Sequence, residues 1–310
     1  MRLAKPKAVS LRSIRMLSRI ETRQFSILPY LLLLPTILFI AAFTLWPAVF
    51  AGYSSLFKAN QAVRVPQFTG LGNYTNLFQN EVFRQVFLNS ILFAAITTPI
   101  AITLAFLFAL LLNQKLRAIG IYRLMIFHPT VMPMVSAATI FLFVFAPEYG
   151  LLNEFLRTVG IKGPSWLGSF QFALISIMII TIWKQAGYLM IFYLAGLQNM
   201  SSEYIEAAKV DGANWFQGIR HITFPLLKGT TLFVTTIALV DAFQAVDQIY
   251  ILTKGGPDNA SNMLLFFLYE LQFIFLDSGA AYALTTILLF VLLIATLLNF
   301  RLTERGANYE

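Results

Sequence analysis

Apolar residues gather into six long blocks separated by shorter polar connections, at about 27–50, 87–113, 124–146, 172–197, 230–252 and 280–300. Runs of roughly 20 apolar residues match the length a helix needs to cross the hydrocarbon core of a bilayer. Lipid offers no water to unpaired backbone groups, so each block is expected to be a helix. A further apolar stretch, Met263 to Phe275, lies between Asp258 and Asp277 and has only 13 residues. It is too short to cross unaided and reads as interfacial or re-entrant. The expected fold class is an all-α polytopic membrane protein with six transmembrane helices, preceded by a basic segment 1–26 and followed by a tail 301–310.

Composition agrees with the block pattern. Hydrophobic residues make up 58% and charged residues 12% of the chain, against about a quarter charged in a soluble domain. The positions of Lys and Arg orient the spans, because basic residues are retained on the cytoplasmic side of short loops. Seven precede the first span, three lie between spans two and three, three between four and five, and two follow span six, fifteen on one face against six on the other. Both termini are therefore expected in the cytoplasm. The net charge of +8 follows topology and is not gathered with aromatic residues on one module, which argues against a nucleic-acid partner. The absence of cysteine excludes disulfides, thiol catalysis and cysteine-held metals. The first apolar run is too long for a signal-peptide core, so span one is expected to be retained. Before it, Leu11, Ile14, Leu17 and Ile20 alternate with arginines; a basic helix on the inner leaflet and a disordered basic tail are both compatible with that spacing.

Connections on the expected outer side, 51–84 and 147–168, are rich in Gly and Pro and too short for separate domains. Trp46, Tyr53, Tyr149 and Trp166 fall where an aromatic belt belongs. The longest expected cytoplasmic connection, 198–229, is patterned. Ser201 or Ser202 can cap a helix through Ala208, Asp211-Gly212 breaks it, and a second amphipathic stretch from Asn214 to Thr223 carries Trp215, Phe216, Ile219 and Ile222 before Pro225 stops it. Helix, turn, helix is the expectation. Its apolar side chains need a cover, either the protein's own spans or a partner.

Glu206-Ala207-Ala208, followed at fixed offsets by Gly212, Ile222 and Pro225, resembles the EAA motif of the permease subunits of ABC importers. The longer run Glu206 to Ala213, which includes Asp211, is similar to the carbohydrate-uptake branch of that family. Phe224 stands where the family usually has leucine, and Gly229 where a second proline is common. Val246 to Pro257 resembles the end of span five in the subunit type represented by maltose and glycerol-3-phosphate permeases. The resemblance covers about 27 to 301. It implies the type I importer permease fold in a bacterial inner membrane and a pore shared with a second homologous permease subunit. It also implies two copies of a separate ABC ATPase that uses ATP with magnesium, and a periplasmic or extracellular solute-binding protein. The helix around Glu206 to Gly212 would seat in a cleft of the ATPase, with Trp215 and Phe216 tying the loop to the spans. No Gly-Lys pair occurs in the chain, so it lacks a P-loop of its own and is not expected to be an enzyme.

Charged and polar residues at membrane depth mark a pore or a partner. Lys184 lies 13 residues from the cytoplasmic end of span four and Asp241 lies 11 into span five, depths that agree within about 3 Å at the helical rise. The two form a candidate pair, read first as structural glue and second as a substrate site. Gln185, Tyr188, Gln244, Asp247 and Tyr250 are candidates for holding a polyhydroxylated solute, the last three expected as one stripe on span five; helix-to-helix hydrogen bonding is the competing role. Pro99, Pro129 and Pro133 free backbone carbonyls where helices bend around a cavity. An ion-coupled secondary sugar carrier is the rival function, since six spans with a buried Lys and Asp suit it, but it leaves the Glu206 loop unexplained. An intramembrane hydrolase finds no paired catalytic motif within a span.

Overall fold

The computed structural model describes residues 28–60, 65–114 and 117–304. The basic segment 1–26, Arg64, Lys115 and the tail from Arg305 lie outside the described residues. The chain divides into two units, Met1–Phe50 and Ala51–Glu310. A helix Leu28–Ile40 runs through a π-helical turn, Ala41–Leu45, into Trp46–Ser54, whose last residues belong to the second unit; this is span one.

Five helices among the described residues are long and apolar enough to cross a membrane, and a bent pair supplies a sixth crossing. Span two is Glu81–Leu112, span four Ala173–Gln198 and span six Ser278–Glu304. Span three is the pair Ile119–Val131 and Met134–Val144, bent by 99°. Span five is Lys228–Phe243 followed, after three residues, by Asp247–Leu252. The segment 264–274 forms a helix Leu264–Tyr269 and a π turn Glu270–Ile274. Leu264, Phe266 and Phe267 are buried in a cluster with residues of spans two and six, while Phe273 and Ile274 at the other end of the segment are exposed.

Span two begins six residues earlier than its apolar block because Asn80 caps it, its side-chain oxygen accepting from the Val82 amide at 2.8 Å and from Phe83 at 3.4 Å. Spans two and four pack along a seam of small residues. Ala101, Ala105 and Ala109 are fully buried and recur at every fourth position, which lets helix backbones approach closely in lipid. Gly196 extends the seam toward span five: a Cβ there would meet Leu227 at 2.7 Å and Thr230 at 2.9 Å. Despite Pro99, span two remains one helix.

Two apolar clusters make the core. One gathers Phe83, Phe93, Ile177, Ile180, Ile249, Leu264 and Leu284; the other gathers Ala105, Leu189, Tyr193, Leu227 and Val234. On span four the first cluster ends at Ile180 and the second starts at Leu189. The level between them holds the polar side chains Thr181, Lys184, Gln185 and Tyr188.

At the end of the spans away from loop 198–229, asparagines organise the connections. The Asn73 amide donates to the carbonyls of Ser55 and Phe57 at 2.7 and 2.9 Å. Asn153 donates to Pro147 and Pro164 and accepts from the Trp166 indole at 2.7 Å. Trp166 is thus part of a packed loop, its ring tilted against Phe145 and edge-on to Phe172. Asn89 clamps the loop after span five through the carbonyls of Asn259, Ala260 and Asn262.

Candidate functional site

Span three breaks at Met132-Pro133. Proline has no amide hydrogen and disfavours helix in the residue before it, so the carbonyls that end Ile119–Val131 lose their helical partners. Lys184, from the middle of span four, supplies replacements. Its ammonium donates to the carbonyl of Pro129 at 3.0 Å, of Thr130 at 3.1 Å, and of Met132. A cation at a helix C-terminus also meets the negative end of the helix dipole. The expected pairing of Lys184 with Asp241 is therefore wrong: all three ammonium hydrogens go to backbone oxygens, and the ion pair found among the described residues is Arg157 with Glu154. Spans three and four also touch closely at Gly187, where a Cβ would meet the Ile126 carbonyl.

Span five breaks one level away. Its first helix ends at Phe243, Val246 leaves helical geometry at φ −131° and ψ −50°, and a new helix starts at Asp247. The expected continuous stripe of Gln244, Asp247 and Tyr250 is interrupted there. Gln244 and Asp247 line a cavity of about 370 Å³ together with Gln185, Tyr188, Lys184 and Asp241. Tyr250 turns elsewhere, onto the rings of Tyr269 and Phe266. Beside Ala245 and Val246 of the break itself, Thr130, Met134, Thr181 and Gln248 add to the wall. These four escaped the sequence reading; Pro133 was the available signal for the first two. The Gln248 amide donates to the Thr181 hydroxyl at 3.3 Å, tying the restarted helix to span four.

Gln185 sits 12 residues from Ala173 and 13 from Gln198, so the cavity lies at mid-span. Non-helical backbone at that depth is tolerated where it lines a cavity. The Gln185 side-chain oxygen is buried without a hydrogen-bond partner, and the residue is 9% exposed.

The connection 198–229 begins with a helix Ser202–Val210 capped by the Ser201 hydroxyl. It ends at Gly212, whose φ of +79° suits glycine because it carries no Cβ. The Ala213 amide returns to the Ala208 carbonyl at 2.9 Å and the Gly212 amide to Lys209 at 3.1 Å, the paired closure of a Schellman turn. Asn214 and Gln217 then cap each other reciprocally at 2.9 and 2.8 Å. The second helix runs from Trp215 through a π turn, Ile219–Thr223, into Phe224–Leu226. Pro225 does not stop it as expected. The π turn shifts the hydrogen-bond ladder, with the Phe224 amide reaching Ile219, so proline falls where its missing donor is tolerated.

Glu206, Ala207, Asp211 and Gly212 are exposed, Ala208 is buried, and Ala213 and Ile222 are half-buried. Trp215 and Phe216 are 72% and 62% exposed, so they do not tie the loop to the spans. The ties are Ala208, Thr223 and Leu227, all buried, and Phe224, edge-on to Phe106 at 5.9 Å. That contact gives Phe224 a role at the position where leucine was expected. Trp215, Ile219 and Ile222 line a groove of about 280 Å³ with Leu110, Leu197 and Ala208.

Residues 69–306 match the family of binding-protein-dependent transport system inner membrane components. The chain is 35% identical over 280 residues to the lactose transport system permease protein LacF of Rhizobium radiobacter, covering 89% of this chain and 93% of that one. It is 33% identical over 287 residues to the probable ABC transporter permease protein YurN of Bacillus subtilis (91% and 98%). The sn-glycerol-3-phosphate permease UgpA of Agrobacterium fabrum is 32% identical over 284 residues (91% and 97%). Among solved structures, a chain of a bacterial alginate ABC transporter in complex with an alginate-pentasaccharide-bound periplasmic protein superposes with a TM-score of 0.78 at 23% identity, covering 90% of this chain and 94% of that one; it shows the same fold. The family match sets aside the secondary-carrier reading. With its spans, its mid-membrane break cavity and its patterned loop, the chain belongs to the binding-protein-dependent transport system inner membrane components and is a permease subunit of an ABC importer.

Proposed function

We propose that this permease carries a sugar or related polyhydroxylated solute through the mid-span cavity, with Gln185, Tyr188, Gln244 and Asp247 as its contacts. The observation that carries this reading is the cavity itself, bounded by breaks in two spans and lined by amide, carboxylate and phenol groups. Such groups bind hydroxyls through paired hydrogen bonds beside an aromatic face. Relatives named for lactose and sn-glycerol-3-phosphate support a polyhydroxylated cargo. Tyr250, packed on Tyr269, is assigned to the wall behind the cavity.

Transport is driven by two copies of a separate ATPase that binds ATP with magnesium, since the chain lacks a P-loop. A second permease subunit completes the pore, a solute-binding protein delivers cargo from outside, and both termini face the cytoplasm. The exposed face of Ser202–Val210, with Glu206, and the open rings of Trp215 and Phe216 form the ATPase docking surface.

The test is uptake in proteoliposomes holding the complete complex, with Gln244→Leu in this chain. Uptake falls by at least about tenfold, the effect of leaving a solute hydroxyl without its partner at the site, while ATP hydrolysis stimulated by the loaded binding protein continues. Unchanged uptake removes the cavity from the pathway.

A further inference from the structure

We infer that the mid-span cavity selects against anions and takes a polyhydroxylated solute that carries no phosphate or carboxylate, an inference that rests on reading the cavity as the solute pathway. The charged groups on its wall are Lys184, Asp241 and Asp247. The ammonium of Lys184 is the sole cation there, and its three hydrogens are committed to the carbonyls of Pro129, Thr130 and Met132. Little remains for it to offer an anion. The two carboxylates are in the opposite condition: neither has a hydrogen bond or ion pair among the described residues. Beside them the buried Gln185 oxygen is an acceptor with no donor.

The wall therefore presents free acceptors and a net negative charge. Hydroxyl groups complete such a wall, because each brings a donor hydrogen to a carboxylate or amide oxygen. A phosphate or carboxylate group brings more acceptors, and it meets two like charges, Asp241 and Asp247, on the same wall.

The chain has no cysteine, so Gln244→Cys places a single thiol of this chain on the cavity wall. In the assembled complex, the thiol is treated with two methanethiosulfonate reagents of similar size, one bearing trimethylammonium and one sulfonate. Labelling of this chain is followed by mass, and each rate is divided by the rate with free cysteine. The corrected rate for the cation exceeds that for the anion by at least about tenfold, as a net negative wall requires. In the background Asp241→Asn with Asp247→Asn, the ratio falls by about the same factor. Equal rates, or a faster anion, in the Gln244→Cys chain overturn the charge inference and leave the pathway reading in place. A thiol that reacts with neither reagent, while a control cysteine at exposed Phe170 does, sinks the pathway reading and the inference with it. Should Gln244→Cys not reach the membrane, Met134→Cys on the facing wall is measured in the same way.

Discussion

The mid-span cavity and the connection 198–229 are built by opposite rules. In the cavity, polar atoms are left open: the carboxylates of Asp241 and Asp247 stand without partners among the described residues, and the Gln185 oxygen is buried unpaired. In the loop, the polar atoms at each helix end are closed by Ser201, the Gly212 turn and the Asn214–Gln217 box, while Trp215, Phe216 and Val210 stand in the open. An unpaired buried acceptor favours a ligand with donors, and an exposed apolar patch favours a protein partner. The same chain thus carries complementary surfaces for a hydroxylated solute and for a macromolecule, and each is recognisable by what its own fold leaves unsatisfied.

The sharpest way to break the cavity's side of that contrast is Lys184→Met. It removes the donor from three carbonyls at the span-three break, and each buried acceptor left open costs on the order of 1–3 kcal/mol. The expected result is a thermal midpoint in detergent lowered by several degrees and reduced membrane abundance. Because the ammonium serves backbone oxygens, adding Asp241→Asn does not restore stability. Rescue in the double variant would mean that the two side chains are coupled after all.

Gly212→Pro does the corresponding damage to the loop. Proline is confined near φ −65° and cannot adopt the +79° found there, so the Schellman closure is lost. That turn lies outside the apolar clusters, so the protein still inserts. Uptake by the reconstituted complex drops below about a tenth, while ATP hydrolysis persists without being coupled to it; a change of this size needs only about 1.4 kcal/mol of misplacement. Normal transport would show that the loop's shape does not matter to coupling.

These two residues also mark how far sequence could go. Gly212 was legible because an Asp-Gly after a capped helix has a local conformational cause, and the spans were legible because apolar length and basic loops follow from the bilayer itself. Lys184 was legible as structural glue but not as to its partner. Matching depth pointed to Asp241, whereas the true acceptors are carbonyls, which carry no side-chain signal. The two breaks differ in the same way. Pro133 announces the first, but Gln244-Ala245-Val246 contains no helix breaker, and the restarted helix meets span four through a Gln248–Thr181 hydrogen bond between residues far apart in sequence. Pro225 failed as a stop signal because the π turn before it absorbs the missing donor.

Trp215→Ala tests whether the open rings serve a partner. The side chain is 72% exposed, so the isolated subunit's stability changes by no more than about 0.5 kcal/mol. Co-purification with the ATPase subunit falls severalfold, as expected for loss of an aromatic anchor. A loss of subunit stability with unchanged ATPase recovery would instead make Trp215 part of the permease's own packing.

The smallest effect is expected at Phe224→Leu, and it separates anchoring from docking within the loop. Phe224 meets the Phe106 ring edge-on at 5.9 Å, and Phe106 in turn meets Tyr193 at 5.4 Å. Leucine keeps most of the apolar area but loses the ring-edge geometry, worth about 0.5–1.5 kcal/mol. Since the contact lies between the loop and spans two and four, the loss should appear as a lower melting midpoint of the permease, with ATPase recovery unaltered. The reverse pattern, an unchanged midpoint with weaker ATPase binding, would place Phe224 on the docking surface beside Trp215 and erase the distinction between the side chains that hold the loop to its own spans and those that face a partner.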